Sequence, residues 1–198
     1  MTTLRPIRSV NLRGLGPAPL AALVALSVGL AACGDDPFDF PWASNPETVL
    51  LYSLARPELN LEAAYNFHNR VKVTVEAARA SGTWDIAVDT RDGQLVFLPP
   101  GALGISSKAS LTALPGLSFD DVLDAPEDTA VYSKFAAVPV ELETVYVVKT
   151  LQSPGTFGMA CSYYAKLVPL VIDVEGGTLT FMFDVSPICN SLRLIPPD

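Results

Sequence analysis

The sequence predicts an all-β domain, mostly antiparallel, built as a β-sandwich or a small partly open barrel. One or two short helices are expected in an insertion near residues 106–123. Three observations carry this. Residues 65–76 and 178–185 alternate apolar and polar side chains with a period of two, as half-buried strands do. Asp92-Gly93 sits between two such runs, a strong hairpin signal. Helix-compatible segments are short and confined to the middle of the chain.

Residues 48–54 (TVLLYSL) predict the first strand, ended at Arg56-Pro57 because the residue before proline avoids helix. Residues 58–64 have room for one helical turn. Residues 65–76 (YNFHNRVKVTVE) read as one strand, with Tyr65, Phe67, Val71, Val73 and Val75 on a single face. Trp84, Ile86 and Val88 repeat the pattern, with Asp85 and Asp89 opposite, and residues 94–98 return after the Asp-Gly turn. Residues 106–114 (SSKASLTAL) predict a short helix stopped by Pro115-Gly116. Ser118, with Asp121 three residues on, predicts a second helix start. Residues 138–141 predict a short strand, placed at an edge by Pro139. Residues 145–151 (VYVVKTL) predict a central strand, and residues 153–158 a loop.

The C-terminal part is the best-specified unit. Residues 162–173 and 178–185 read as strand, turn, strand. Val168, Leu170 and Ile172 are expected to share a face, as are Leu179, Phe181, Phe183 and Val185. Cys161 and Cys189 flank this hairpin symmetrically. Pairing Leu170 with Phe181 puts the strands one residue out of register with the cysteines. A β-bulge is therefore expected near residues 166–169, where Pro169 cannot donate to a ladder.

The N-terminus has a different character. Arg5, Arg8 and Arg13 precede an uncharged, largely apolar run from Leu20 to Leu30. Extended to Ala32, that run is 13 residues. As a helix it would span about 20 Å, against a hydrocarbon core of ~30 Å, so a membrane span is disfavoured. Leu30-Ala31-Ala32-Cys33 then follows. This stretch resembles the lipobox of bacterial lipoproteins, a similarity confined to residues 1–34 that specifies processing rather than a fold. It implies that residues 1–32 are a cleaved signal peptide and that Cys33 is the lipidated N-terminus. Gly34 after the cysteine resembles the pattern for outer-membrane sorting. Residues 33–46 then form the lipidated end and a tether rich in proline and acid, with Phe38, Phe40 and Trp42 along it. Residues 47–198 form a single β-rich domain.

The whole chain carries 13 basic and 21 acidic residues. Three of the basic residues and none of the acidic ones lie in the leader, so the mature chain holds 10 against 21, a balance of −11. Such a charge argues against nucleic acid and against a polybasic grip on anionic lipid. Membrane attachment is expected through acylated Cys33. Apart from it, Cys161 and Cys189 form an even pair in an oxidising compartment, and one disulfide is the simplest expectation. Two buried free thiols are the alternative.

Catalytic signals are sparse. His68 is the chain's one histidine, lies on the polar side of its strand, and has no G-x-S-x-G to serve. Zinc would want more Cys and His ligands than remain. Asp120, Asp121, Asp124, Glu127 and Asp128 lack EF-hand spacing and read as a solvated acidic loop. Asp85 and Asp89 lie about 13 Å apart along a strand, too far for a carboxylate pair. No cofactor or metal is expected. These features point to a lipid-anchored, non-catalytic binding or scaffolding module of the bacterial envelope. Its expected partners are the bilayer and an envelope protein or small ligand. The rival is an envelope hydrolase using carboxylates or a bound metal.

Overall fold

A computed structural model describes residues 41–197. Cys33, the leader and the tether as far as residue 40 lie outside the described residues. The described chain forms twelve strands: β1 (Glu47–Tyr52), β2 (Ala64–Asn66), β3 (Val71–Val73), β4 (Ile86–Arg91), β5 (Gln94–Leu98), β6 (Ser110–Pro115), β7 (Val138–Pro139), β8 (Thr144–Lys149), β9 (Ser153–Pro154), β10 (Ala160–Cys161), β11 (Tyr164–Asp173) and β12 (Thr178–Val185). Five make a first sheet in the order β1-β12-β11-β8-β6, and five a second in the order β3-β2-β4-β5-β7. β9 and β10 form a separate small hairpin. Every strand pairing is antiparallel, and the two sheets do not close into a barrel. The fold is a β-sandwich. At one corner the chain crosses between sheets: Tyr52 N donates to Glu62 O and Leu54 N to Val88 O.

The core lies between the two inner faces. Val49, Leu51, Leu167, Phe181 and Phe183 of the first sheet meet Tyr65, Phe67, Ile86, Val88 and Phe97 of the second. Edge-on aromatic contacts run through it, with centroids 5.0 Å apart for Tyr65–Phe183 and 5.1 Å for Phe97–Tyr146. Such pairs add about 0.5–1.5 kcal/mol each beyond the area they bury. The single buried hydroxyl of Tyr146 is used twice: it donates to Pro139 O and accepts from Glu141 N.

Several expected elements take their expected form. Arg91 pairs with Gln94 across Asp92 (φ 50°) and Gly93 (φ 77°), the left-handed pair a tight hairpin needs. β8 is central, between β11 and β6, and Pro139 lies in β7 at the edge of the second sheet.

The register anomaly of β11 is present but displaced. Pro169 pairs with Phe181 and Val171 with Thr180, so Leu170 is the extra residue, just beyond the expected interval. Up to Pro169 the pairing keeps the register set by the two cysteines. Leu170 therefore does not share a core face with Ile172: Leu170 is exposed, whereas Ile172 packs against the core.

Three expectations are corrected. The single strand over residues 65–76 is a hairpin, β2 and β3, turning at residues 67–70. Asn66 Oδ1 accepts from Asn69 N and Arg70 takes a positive φ of 53°, so a side chain bends the backbone where alternation alone would extend it. The helix over residues 106–114 is strand β6, paired along its length with β8. Nor is there a helix after Ser118. Its side chain does pair with Asp121, but the carbonyls of Phe119 and Val122 are taken by the Lys166 ammonium, at 2.8 and 3.0 Å. Among the described residues the only helical turns are short 3₁₀ pieces, and no helix is long and apolar enough to cross a membrane.

Lys166 explains the cover on the outside of the first sheet. It points away from the core and is buried under residues 117–125, with its ammonium 4.6 Å from the centre of the Phe119 ring. Burial holds its pKa below the ordinary lysine value. Val122, Ala125, Tyr132 and Leu194 complete this outer layer over Val145 and Val147. A second outer layer, with Trp84, Ala87 and Leu98, covers the other sheet. Trp84 and Ile86 therefore lie in different clusters, although strict alternation from residue 84 would place them together.

Candidate functional site

The described chain enters the body at the end of the sandwich where β12 finishes. Proline and small polar residues at 41–46 form no strand, so their backbone groups need partners from the body. Asp184 supplies them. Its carboxylate accepts from Ser44 Oγ at 2.5 Å and from Asn45 N at 3.3 Å. Arg70 closes the clamp, donating to Asp184 Oδ1 (3.2 Å), Asn45 O (2.9 Å) and Glu47 Oε1 (2.7 Å). Its guanidinium also lies 5.2 Å from the centre of the Phe183 ring. Asp184 is 2% exposed, and these donors, with Val185 N, compensate the burial of its charge.

Trp42 lies just ahead of this clamp. It borders a pocket of about 190 Å³ with His68, Arg70, Val185, Ser186 and Pro187. Trp42 Nε1 is buried, so the indole packs on the body rather than standing in solvent. His68 stacks on Tyr163, with centroids 3.9 Å apart and planes 9° from parallel. It remains exposed overall, and its partial burial lowers its pKa. Tyr163 and Tyr164 face opposite ways, but neither is free: Tyr164 is buried in the outer layer and Tyr163 is half-buried.

Cys161 and Cys189 are joined in a disulfide, with Cα atoms 5.1 Å apart. Asn190 secures the same junction, accepting from Ser162 N and donating to Ala160 O. Pro187 touches the Trp42 pocket two residues before Cys189, so clamp and disulfide are neighbours.

The carboxylates singled out in the sequence do not converge. Asp85 is fully buried and accepts from Phe67 N and Leu151 N, both at 2.7 Å. Phe67 follows a strand of the second sheet and Leu151 one of the first, so this carboxylate ties the sheets together. Burial pushes its pKa up to about 7, against the pull of the two amide bonds. Asp89 is half-exposed and pairs with Arg91. Asp120, Asp121, Asp124, Glu127 and Asp128 are all exposed. Asp121 is spent on Ser118 and Asp128 on Ala130 N. Among the described residues no group of three or more His, Cys, Asp or Glu side chains is placed to hold a metal.

Part of the first sheet's outer face is uncovered. Thr48, Leu50, Val168, Val171, Thr180 and Met182 present an uncharged surface there, and Leu50 and Val171 are exposed.

Neither Arg70 nor Asp184 stands out as a site residue in the sequence. Asp184 occupies the solvent parity of an alternating strand, and the residues that bury it lie 140 and 139 positions away. Arg70→Ala is expected to free residues 42–46. Trp42 emission then moves to longer wavelength, and unfolding free energy drops by about 1–2 kcal/mol. That is less than the ~3–5 kcal/mol for breaking a fully buried pair, because Arg70 keeps some contact with water. No protein-family model, no curated protein and no solved structure matches this chain.

Proposed function

We propose that this protein is a lipid-anchored component of the bacterial cell envelope, with its β-sandwich serving as a non-catalytic binding or scaffolding module. In this reading residues 1–32 are removed, acylated Cys33 holds the outer membrane, and an envelope protein or small ligand is the soluble partner. The observation that carries it is the clamp on residues 44–47, which takes in the last residues of the tether. Fastening Ser44, Asn45 and Glu47 to Asp184 and Arg70 makes the incoming chain leave the sandwich from one defined point. The exposed Leu50 and Val171 on the open part of the first sheet support a binding role, since a contiguous exposed apolar patch marks a surface that something covers. The hydrolase alternative is weakened by Asp85, whose raised pKa comes from sealing inside the sandwich and not from a cleft.

The test is Cys33→Ser in the full chain, followed by membrane fractionation. Release of the protein into the soluble fraction is the expected result. A variant that still sediments with membranes shows that the anchor is something else.

A further inference from the structure

We infer that the β9–β10 hairpin is a second membrane contact, seating Phe157 and Met159 in the interface of the bilayer to which Cys33 is tied. This inference rests on the lipid-anchor reading above.

Phe157 is 97% exposed and Met159 57% exposed at the tip of a two-plus-two-residue hairpin. Phe157 takes a positive φ of 58°, where glycine or asparagine would cost less. An aromatic ring held in that conformation and almost wholly in water contributes nothing to the fold that presents it.

The hairpin is rigidly based. Gly155 N donates to Met159 O at 2.7 Å, and a Cβ on Gly155 would run into Cys161 Sγ, so the loop is drawn tight against the disulfide.

Its position selects the partner. Cys161 is bonded to Cys189, and Pro187 borders the Trp42 pocket. Tyr163, two residues past the hairpin, stacks on His68, which lines that same pocket. The hairpin thus stands at the end of the sandwich where the chain comes in from Cys33. The eight residues from 33 to 40 reach at most about 29 Å. A tether that short keeps this end of the sandwich near the bilayer.

Charge agrees. Residues 150–165 contain no Asp, Glu, Lys, Arg or His, in a mature chain of balance −11. An anionic leaflet repels most of this protein, but it does not repel this segment. Apolar and aromatic side chains at such a tip gain by entering the headgroup boundary. The lipid then supplies orientation as well as attachment.

Phe157→Trp in the full, lipidated chain tests this, because the position is exposed and tolerates the larger ring. The protein is reconstituted into vesicles of phosphatidylethanolamine, phosphatidylglycerol and phosphatidylcholine brominated near the top of its acyl chains. Fluorescence is read as the difference from the wild-type protein, which carries Trp42 and Trp84 in both cases. The introduced indole is expected to emit at shorter wavelength than in water and to lose most of its intensity to the bromines. Flotation with the vesicles, together with a water-like and unquenched indole, overturns the hairpin contact and leaves the anchor intact. A blue-shifted but unquenched indole is buried against protein, its own body or a second copy, and overturns the inference equally. A protein that fails to float overturns the anchor reading, and this inference with it.

Discussion

Asp85→Ala is expected to lower the unfolding free energy of the domain by about 4 kcal/mol near pH 5, read from the urea midpoint. The substitution strands two buried amides at once, Phe67 N and Leu151 N, and each unsatisfied buried donor costs about 1–3 kcal/mol. Both amides lie where one sheet meets the other, so the loss falls on the seam of the sandwich. Asp85→Asn spares the volume but points an amide NH₂ at one of those donors, and should recover only part of the loss.

The same residue gives a pH signature. Its carboxyl titrates at about 7 when folded, against ~3.9 in an unfolded chain. Between those values the folded state holds a proton that the unfolded state has lost. Stability from this group is therefore complete below about pH 4, declines as pH rises, and is gone above about pH 7. The Asp85→Ala deficit accordingly shrinks between about pH 5 and pH 8. A deficit that stays constant or grows over that range would show that burial does not dominate the titration of Asp85.

Loss of the disulfide is the second large effect. Replacing Cys161 and Cys189 together with serine is expected to cost about 3.5 kcal/mol, the chain-entropy value for a loop whose ends are 28 residues apart. Adding reductant should lower the unfolding free energy of the wild-type protein by a similar amount, read from its urea midpoint, and leave the double variant unmoved. Equal sensitivity of both proteins to reductant would argue that the bond contributes nothing to stability.

What the sequence revealed follows the range of the interactions that decide each element. The Arg91–Gln94 hairpin, the β11–β12 pair and the cysteine pairing depend on neighbours or on symmetric spacing, and they are legible. β6 depends on β8 for its identity. Residues 106–114 fit a short helix and a short strand alike, and only a partner strand some 35 residues away chooses between them. The β2–β3 turn was hidden because Asn66 bends the chain through its side chain within a run that otherwise alternates. Asp85 reads as solvent-facing by parity. It is buried because Trp84 and Ile86 are both covered, one on each side of the second sheet. The clamp was the least legible feature, since Arg70, Asp184 and Ser44 come together only when the two ends of the domain meet.

That meeting has a kinetic side. β1 pairs with β12, so Val49 finds Phe181 across 132 positions. The opening strand must wait for nearly all the chain behind it before its neighbour exists. Domains wired this way assemble slowly, because a wide loop must close before its contacts repay the entropy. β1 therefore has no strand neighbour until the last strand of the chain is made. On the export reading, that delay keeps the sandwich unfinished until the whole chain is available.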